Sequence, residues 1–479
     1  MSVTENTIDF NSLEQLTYKY FCRKGCEWLK ALLENHDRHL SMHRDKSIYR
    51  HKGTRKSCIK TIMGEVEYSR TIYEVIGENG LKTYVYLLDE EMGLNGRGFM
   101  SGLLSQIIVN AACESSYRST ARQVSESTGQ SISHTGAWNV VQELGRRAGL
   151  KEEMDADAAL KCEGSGLLET PVLFEEFDGI YLNLQGKSRK KHGDRREMKV
   201  SIAYDGAVKT GKKRFNLTNK VACAGFHPAG EFIKRKEGVV AATYNTDEIK
   251  TRLVNGDGDP WIRRAAIDEN THFQLDSYHA NQAIRTYVKD KRMRKMITEL
   301  YYAKRIAELL ESIVILSDSV ETDEEQENLL KLYTYFKGNE DGLIPCHRRG
   351  LPIPPPPEGK VYRRLGAMES NVFTLIGNRM KGRRHCWSIN GGDNLARLLC
   401  LKVTGKLTET LQKLTALTLP ERYAEELTVN FSAAMIPETA GNGYDGYHKS
   451  PAPSTADFKW LRGIGSLKPF SEMSFKNTI

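Results

Sequence analysis

The chain has 479 residues, of which 39% are hydrophobic and 27% charged, and no apolar run reaches the length that crosses a bilayer. Nine scattered cysteines without a C-x-x-C pair argue against a zinc finger. The chain starts without a basic segment followed by an apolar stretch, so we expect a soluble, cytoplasmic protein of two to four modules with no membrane contact. The net charge of +8 leans toward polyanionic partners.

The first 95 residues are expected to form a helical region with a small sheet. Apolar residues recur at helical spacing over residues 8–35, and residues 62–75 and 82–88 alternate like strands. An amphipathic helix is predicted over Phe99–Ala112.

Residues 116–145 have the pattern of a helix-turn-helix, within an expected DNA-binding region at 96–150. A helix through Val124 is followed by a turn at Gly129 and a second helix from Ser133. Any helical hairpin gives a similar pattern. If the unit binds DNA, the exposed contacts are Ser131, Ser133, His134 and Asn139. The acidic residues 151–169 suggest a linker.

Pro171–Gln185 is predicted to be a long buried strand that carries Asp178. A charged residue in such a strand is costly unless it is paired or ligates a metal. The following segment, Lys187–Lys220, holds twelve Lys or Arg residues against three Asp or Glu. Strands are predicted at Lys199–Val208 and Arg214–Ala224, with the basic residues on loops. These form either a solvated surface or a phosphate-contacting one, with candidates Lys187, Arg189, Lys190, Lys191, Arg195 and Arg196.

A second acidic signal follows the helix predicted at Ala229–Tyr244. The strand Glu248–Val254 leads to Asp257 in a Gly-rich turn, and the strand Thr271–Leu275 leads to Asp276 and His279. Asp257 alone could be a turn residue and Asp276 a helix cap. Two strand ends that each deliver a carboxylate are also how an α/β sheet builds a metal site.

The order β-β-β-α-β, with acids at strands one and four, indicates an α/β fold with a ribonuclease-H-like catalytic core. Its first part is expected at 170–282, a helical insertion at 283–360, the last helix at 361–402 and a helical, partly disordered tail at 403–479. Glu369, Val372, Phe373 and Ile376 share one helical face, so Glu369 is expected to point at the sheet. Basic candidates for DNA contact follow it: Arg379, Lys381, Arg383 and Arg384.

Four motifs carry a resemblance to a known family: FDGIYLNLQ, NGDGDPWI, FQLDSYHANQAI and GAMESNVFTLIGNRMKGRRHCWS. In order and spacing they resemble bacterial insertion-sequence transposases of the ISLre type, related to the Mutator-like DDE enzymes, over residues 10–400. The resemblance implies a catalytic triad of Asp178, Asp257 and Glu369 that binds Mg²⁺ or Mn²⁺. The D-x-x-H of Asp276 and His279 is similar to a motif of the Mutator-like enzymes, whereas Asp259-Pro260 departs from the expected small residue.

That resemblance further implies a function. The protein would bind its transposon ends and target double-stranded DNA as a homodimer or higher oligomer, cleave phosphodiester bonds and transfer strands by a two-metal mechanism. His279 would contact the scissile phosphate, or merely partner Asp276 at the helix cap. The alternatives are a structure-specific nuclease of the same fold and a non-catalytic DNA-binding regulator.

Overall fold

The computed structural model describes residues 9–77, 80–94, 100–163, 165–266, 269–382 and 385–416. Arg383, Arg384 and the tail beyond residue 416 lie outside the described residues, so the predictions made for them are not addressed by the structure. None of the helices within the described ranges combines the length and apolar character needed to cross a bilayer.

The N-terminal region contains a long helix against a small antiparallel sheet, as predicted. Its elements are α1 (Phe10–His43), β1 (Arg50–Lys60), β2 (Glu65–Ile76), β3 (Lys82–Val85) and α2 (Leu87–Glu91). The strand order is β1-β2-β3. The sequence did not indicate β1, because most of its side chains are basic or polar and exposed, so the alternating apolar pattern is missing.

The predicted helix-turn-helix is present, but the linker after it is not. Helices α3 (Gly102–Glu114), α4 (Tyr117–Ser127) and α5 (His134–Leu160) follow one another. The side chain of Ser133 caps α5 by accepting from the N–H of Gly136 at 3.0 Å, and the predicted inward residues Ala137, Val140, Val141 and Leu144 are buried.

Most of the predicted linker belongs to α5, so that expectation is wrong. The acidic residues there pair with basic residues of other helices rather than with water. Glu152 lies 3.0 Å from Arg397, and Asp157 lies 2.9 Å from Lys234.

A mixed sheet occupies the centre of the molecule, in the order β10-β9-β4-β5-β8 with β11 beside β4. Strand β4 is antiparallel to β5, which is antiparallel to β8, whereas β4, β9 and β10 are parallel. The elements of this part are β4 (Val172–Leu184), α6 (Gly186–His192), β5 (Arg195–Tyr204), β6 (Ala207–Lys209), β7 (Phe215–Leu217), β8 (Val221–Gly225), α7 (Ala229–Ala241), β9 (Thr251–Gly256), α8 (Pro260–Arg263), β10 (Thr271–Leu275) and α9 (Ser277–Tyr287).

Two sequence expectations for this part need correction. The basic residues Lys187–Lys191 lie on α6, and Arg195 and Arg196 begin β5, so they are not on loops. The expected third strand is divided, because β7 pairs with β6 in a separate hairpin and only β8 joins the central sheet.

Helices cover both faces of this sheet. The predicted insertion forms α10 (Lys291–Ala303), α11 (Ile306–Ser319) and α12 (Asp323–Gly338), which share an apolar core with Phe177, Val254 and Phe273 on one face. The other face packs against α13 (Met368–Val372), a π-helical turn (Phe373–Gly377), α14 (Asn378–Met380), β11 (Cys386–Trp387), α15 (Ile389–Val403) and α16 (Leu407–Ala416), together with α3 to α5. The fold is thus mixed α/β.

Candidate active site

Three aspartates lie at one edge of the parallel half of the sheet. Strands β4 and β9 are paired in register up to Glu176 and Asn255, so Asp178 and Asp257, two residues further along, are at the same level. Asp276 directly follows β10, and its backbone N–H donates to the carbonyl of Gly256 at 2.8 Å. Adjacent strands therefore deliver the three carboxyl groups, as the sequence predicts for Asp178 and Asp257.

His279 lies between two of these carboxyl groups. Its Nε2 atom is 3.9 Å from Oδ1 of Asp178, and its Nδ1 atom is 3.8 Å from Oδ1 of Asp276. Asp276 also caps α9, accepting from the N–H groups of Tyr278 and His279. The helix-cap interpretation of Asp276 is therefore confirmed, and the cap brings the imidazole next to Asp178.

Burial and mutual repulsion act on the paired acids. The side chain of Asp178 is only 18% exposed. Burial raises its pKa to about 6. His279 and the N–H of Gly179 oppose that rise, and Asp257 and Asp276 add smaller increases. Burial also raises the pKa of Asp257, and the hydrogen bond from the N–H of Asp259 opposes that rise. Two adjacent carboxyl groups that resist ionising together are a common basis for proton sharing or cation binding.

The loop of Asp257 is held by the helical insertion. Tyr335 of α12 donates to the carbonyl of Asp257 at 2.7 Å, and the N–H of Asp259 donates to the Asp257 carboxyl at 2.9 Å. Gly258 has a φ of +90°, a backbone conformation that residues with a side chain rarely adopt. Asp257 is thus also a turn residue, and its backbone is fixed from both sides.

Glu176 was missed by the sequence analysis. This fully buried carboxylate accepts hydrogen bonds from the N–H groups of Gly366, Ala367 and Met368, which precede and begin α13. It also accepts from the hydroxyl of Tyr204 at 2.7 Å. Two glutamates stand beside Asp178 in FEEFD, and the rule applied to Asp178, that a buried charge needs partners, applied equally to them.

Asn255 extends this polar network toward the aspartates. Its side-chain amide donates to Glu176 at 3.2 Å and to Asp276 at 2.8 Å. Buried hydrogen bonds consequently join four elements: β4, β9, the cap of α9 and the start of α13.

The expected orientation of Glu369 is wrong. Glu369 and Phe373 are exposed, and Met368, Val372 and Ile376 form the buried face. The helical register differs from the one assumed because α13 ends after five residues and continues as a π-helical turn. Within the described residues, no three His, Cys, Asp or Glu side chains are arranged to hold a metal ion.

The candidate DNA-contacting residues differ in their exposure to solvent, and a buried one cannot contact DNA. Arg379 is buried, donates to the carbonyl of Ala112 at 2.7 Å and lies against the rings of Tyr117 and Trp387. Its proposed role as a DNA contact is therefore wrong, because it is a core residue. Arg196 and Asn139 are half-buried, and the exposed candidates are Ser131, Ser133, His134, Lys187, Arg189, Lys190, Lys191, Arg195 and Lys381.

Comparison with known proteins gives relatives of one kind. Two UPF0236 proteins of Caldanaerobacter subterraneus subsp. tengcongensis are each 23% identical over 381 residues, which is 76% of this chain and 74% and 71% of theirs. A third is 24% identical over 391 residues, 77% of this chain and 75% of its own, and its name joins eleven loci of that genome. The family model described as uncharacterised protein family UPF0236 matches residues 3–413, and the chain belongs to this family.

Proposed function

We propose that this protein is a metal-dependent DNA transposase of the DDE class. It would bind the ends of its own element, cleave phosphodiester bonds there and join the freed ends to target DNA. The observation that carries the proposal is the side-by-side placement of Asp178 and Asp257 on two parallel strands, with the pKa of Asp178 raised to about 6. Paired, partly buried carboxylates on neighbouring strands are suited to hold cations against a phosphate.

The sheet topology supports a ribonuclease-H-like core. Three antiparallel strands, β4, β5 and β8, are followed by α7 and by two parallel strands, β9 beside β4 and β10 beside β9. This is the β-β-β-α-β order of that fold, with one acid on the first strand and one after the fourth. The insertion α10 to α12 lies between the second acid and Glu369, where Mutator-like enzymes have theirs.

The aspartates fit Mg²⁺ or Mn²⁺ by their chemistry. Both cations prefer hard oxygen ligands, and a cation would stabilise the charged form of Asp178, which burial disfavours. When bound, such cations supply an activated hydroxyl and stabilise the leaving oxygen. His279 then lies where it can donate to a phosphate oxygen beside Asp178, which makes it a phosphate-positioning group in this proposal.

Glu369 completes the triad only after it turns toward the sheet. Its helix already lies over β4, because Glu176 holds the first N–H groups of α13. The π-helical turn at Phe373–Gly377 directly follows. Such turns are frequent at functional sites and allow a local change of helical register. We propose that binding of DNA and cation draws Glu369 inward at this turn.

Two further features support DNA as the substrate. The first turn of α5 is exposed and follows α4 after a short turn, as the second helix of a helix-turn-helix does. Helix α6 presents Lys187, Arg189, Lys190 and Lys191 to solvent and directly follows the strand of Asp178. The relative named after eleven loci of one genome is repeated as a mobile element would be. Assembly of two or more copies would bring two element ends together.

A cleavage assay tests the proposal. Full-length protein is mixed with a labelled duplex of the DNA that flanks its gene, in Mg²⁺, Mn²⁺, Ca²⁺ or EDTA. We expect cleavage in Mg²⁺ or Mn²⁺ only, and its loss in Asp257→Asn, which is nearly isosteric. The matched control is Asp318→Asn, an exposed acid of the insertion.

The alternatives predict other outcomes of the same assay. Cleavage without subsequent strand joining identifies a structure-specific nuclease. Binding without cleavage in any metal identifies a DNA-binding regulator. Full activity in EDTA, or in Asp257→Asn, contradicts the two-aspartate centre.

A further inference from the structure

A polar groove lies on the sheet away from the three aspartates. Its volume is about 610 Å³, within the usual range for small-ligand sites. It is formed by the β6–β7 hairpin, the turn before β8, the residues after α7 and α15, and Asn371 of α13. Two residues of β5 relate the groove to Asp178: Ala203 pairs with Val221 beside the groove, and Val200 pairs with Asp178. The groove is therefore about 10 Å from Asp178 along the strands and two strands away across the sheet.

Two half-buried lysines point into this groove without an acidic partner. Lys220 donates to the side-chain oxygen of Asn371 at 2.9 Å, and Lys406 donates to the hydroxyl of Thr243 at 2.7 Å. Among the described residues, neither ammonium has a carboxylate within ion-pair distance. Burial lowers the pKa of both lysines. By contrast, the buried Lys236 pairs with Glu175 at 3.0 Å.

Two acids in this part of the molecule are already engaged. Glu409, whose charge acts on Lys406, pairs with Lys413 at 2.6 Å. Asp205 accepts from the hydroxyl of Thr218 at 2.6 Å, the amide of Asn219 at 2.7 Å and the ammonium of Lys360 at 2.6 Å. An ammonium group has three N–H donors, and the bonds to Asn371 and Thr243 use one on each lysine. Lys220 and Lys406 therefore retain charge and donors that face the groove.

A structural role for these lysines also exists. The groove borders the carboxyl ends of α7 and α15, and each helix end carries about half a negative charge, which a nearby cation offsets. Two full positive charges exceed two such half charges, so the groove stays positive. The exposed Lys212, Lys213 and Arg214 at the tip of the hairpin add to this charge.

We propose that this groove is a phosphate-binding site in which Lys220 and Lys406 hold the phosphate oxygens and Asn371 adds a polar contact. The phosphate comes either from a small phosphorylated molecule or from the backbone of DNA that extends beyond the catalytic edge. The second source rests on the proposed function, whereas the first does not.

The experiment uses full-length protein with two probes. Inorganic phosphate is titrated calorimetrically, and a duplex of unrelated sequence is bound at several salt concentrations. Lys220→Met and Lys406→Met remove the charge and keep the aliphatic stem. Lys304→Met is the matched control, because Lys304 is half-buried, donates to the carbonyl of Leu343 and lies outside the groove.

We expect each groove variant to weaken phosphate binding about tenfold or more, the effect of losing a charged hydrogen bond, while Lys304→Met is unchanged. If the source is DNA, the slope of log affinity against log salt also falls by about one per lysine. A variant that only lowers thermal stability, with both probes unchanged, assigns the lysines to the helix ends and overturns the proposal.

Asn371→Asp tests the same site without removing a lysine. The nearly isosteric carboxylate would pair with Lys220 at the present hydrogen-bond distance, so the fold is retained and phosphate is repelled. Phosphate affinity should fall about tenfold or more; unchanged affinity overturns the proposal. Wild-type protein that binds phosphate in the groove but shows no DNA binding would refute the transposase function and leave the groove assigned to a small phosphorylated ligand.

Discussion

Asp178 and Asp257 stand at the same level on two neighbouring parallel strands, each two residues beyond the paired Glu176 and Asn255. Backbone hydrogen bonds of the sheet, rather than side-chain rotamers, set this closeness. The folded protein therefore keeps two carboxyl groups together in a partly buried place, where both resist ionisation. Burial disfavours the charged forms of both groups, and the resulting cost in stability can be measured.

The stability of the protein should depend on pH through Asp178. Its pKa rises from 3.8 to about 6 on folding, so the folded state binds this proton more tightly than the unfolded state. That stabilisation is complete below pH 4 and is lost as the pH rises through about 6. Asp178→Asn cannot ionise. It should therefore raise the free energy of unfolding by up to about 3 kcal/mol at pH 8 and by about 1 or less at pH 4.

Urea unfolding in EDTA at pH 4 to 8 measures this difference. Asp318→Asn, at an exposed position, is the control and should follow wild type at every pH. An Asp178→Asn variant that is no more stable than wild type at pH 8 would show that the surroundings of Asp178 do not disfavour its charged form.

Glu176→Gln should destabilise the fold and Glu369→Gln should not. Glu176 accepts five hydrogen bonds in the core, and an amide offers only one oxygen to these donors. Buried donors left without partners reduce the free energy of unfolding by about 3 kcal/mol. Glu369 is exposed, so its change in stability should stay within about 0.5 kcal/mol. Comparable losses in the two variants would mean that the buried carboxylate does not hold α13.

The two glutamates also show what sequence could and could not reveal. The long apolar strand that carries Asp178 and the shorter one that ends before Asp257 both follow from the sequence pattern, and the structure has the two acids at those positions. The orientation of Glu369 depends on where an α-helix changes to a π-helical turn, and a period of 3.6 residues contains no sign of that change. The role of Glu176 could have been predicted from sequence by the argument used for Asp178, that a charged residue in a buried strand needs partners.

Sequence-specific recognition is expected from the start of α5. His134→Ala and Asn139→Ala should each reduce the affinity for element-end DNA about tenfold, the effect of one lost base contact, with little change on unrelated DNA. Competition binding between the two duplexes measures this ratio. Equal losses on both duplexes would place these residues on the phosphate backbone instead. Ser133 is unsuitable for this test, because it caps the helix and its loss reduces stability by about 1 kcal/mol.

The exposed residues of α6 should contribute general DNA affinity. Replacing Lys187, Lys190 and Lys191 by alanine should lower affinity for any duplex and reduce the salt slope by about one per lysine. The exposed control is Lys295→Ala on α10. Binding that keeps its wild-type salt slope would show that α6 is only a solvated surface.

Arg379→Ala should reduce stability and not DNA affinity, although the sequence analysis grouped Arg379 with the basic candidates for DNA contact. It is a buried side chain between Tyr117 and Trp387. Its removal should lower the free energy of unfolding by about 2 to 4 kcal/mol, measured in urea, and leave the salt slope of the folded fraction unchanged. The sequence could not separate it from Lys381, because burial of an arginine depends on carbonyls such as that of Ala112, far away in the chain.

The length of helix α5 has a consequence for the position at which the protein would cleave DNA. Its 27 residues extend about 40 Å at 1.5 Å per residue. The first turn presents His134 to solvent, and the later turns are fastened to α7 and α15 by pairs such as Glu152 with Arg397. If the proposed function holds, this continuous helix would hold the DNA-contacting turn at a fixed distance from the helices that pack on the catalytic sheet. The scissile bond would fall at a constant number of base pairs from the recognised sequence, and a residue inserted into α5 would shift that number.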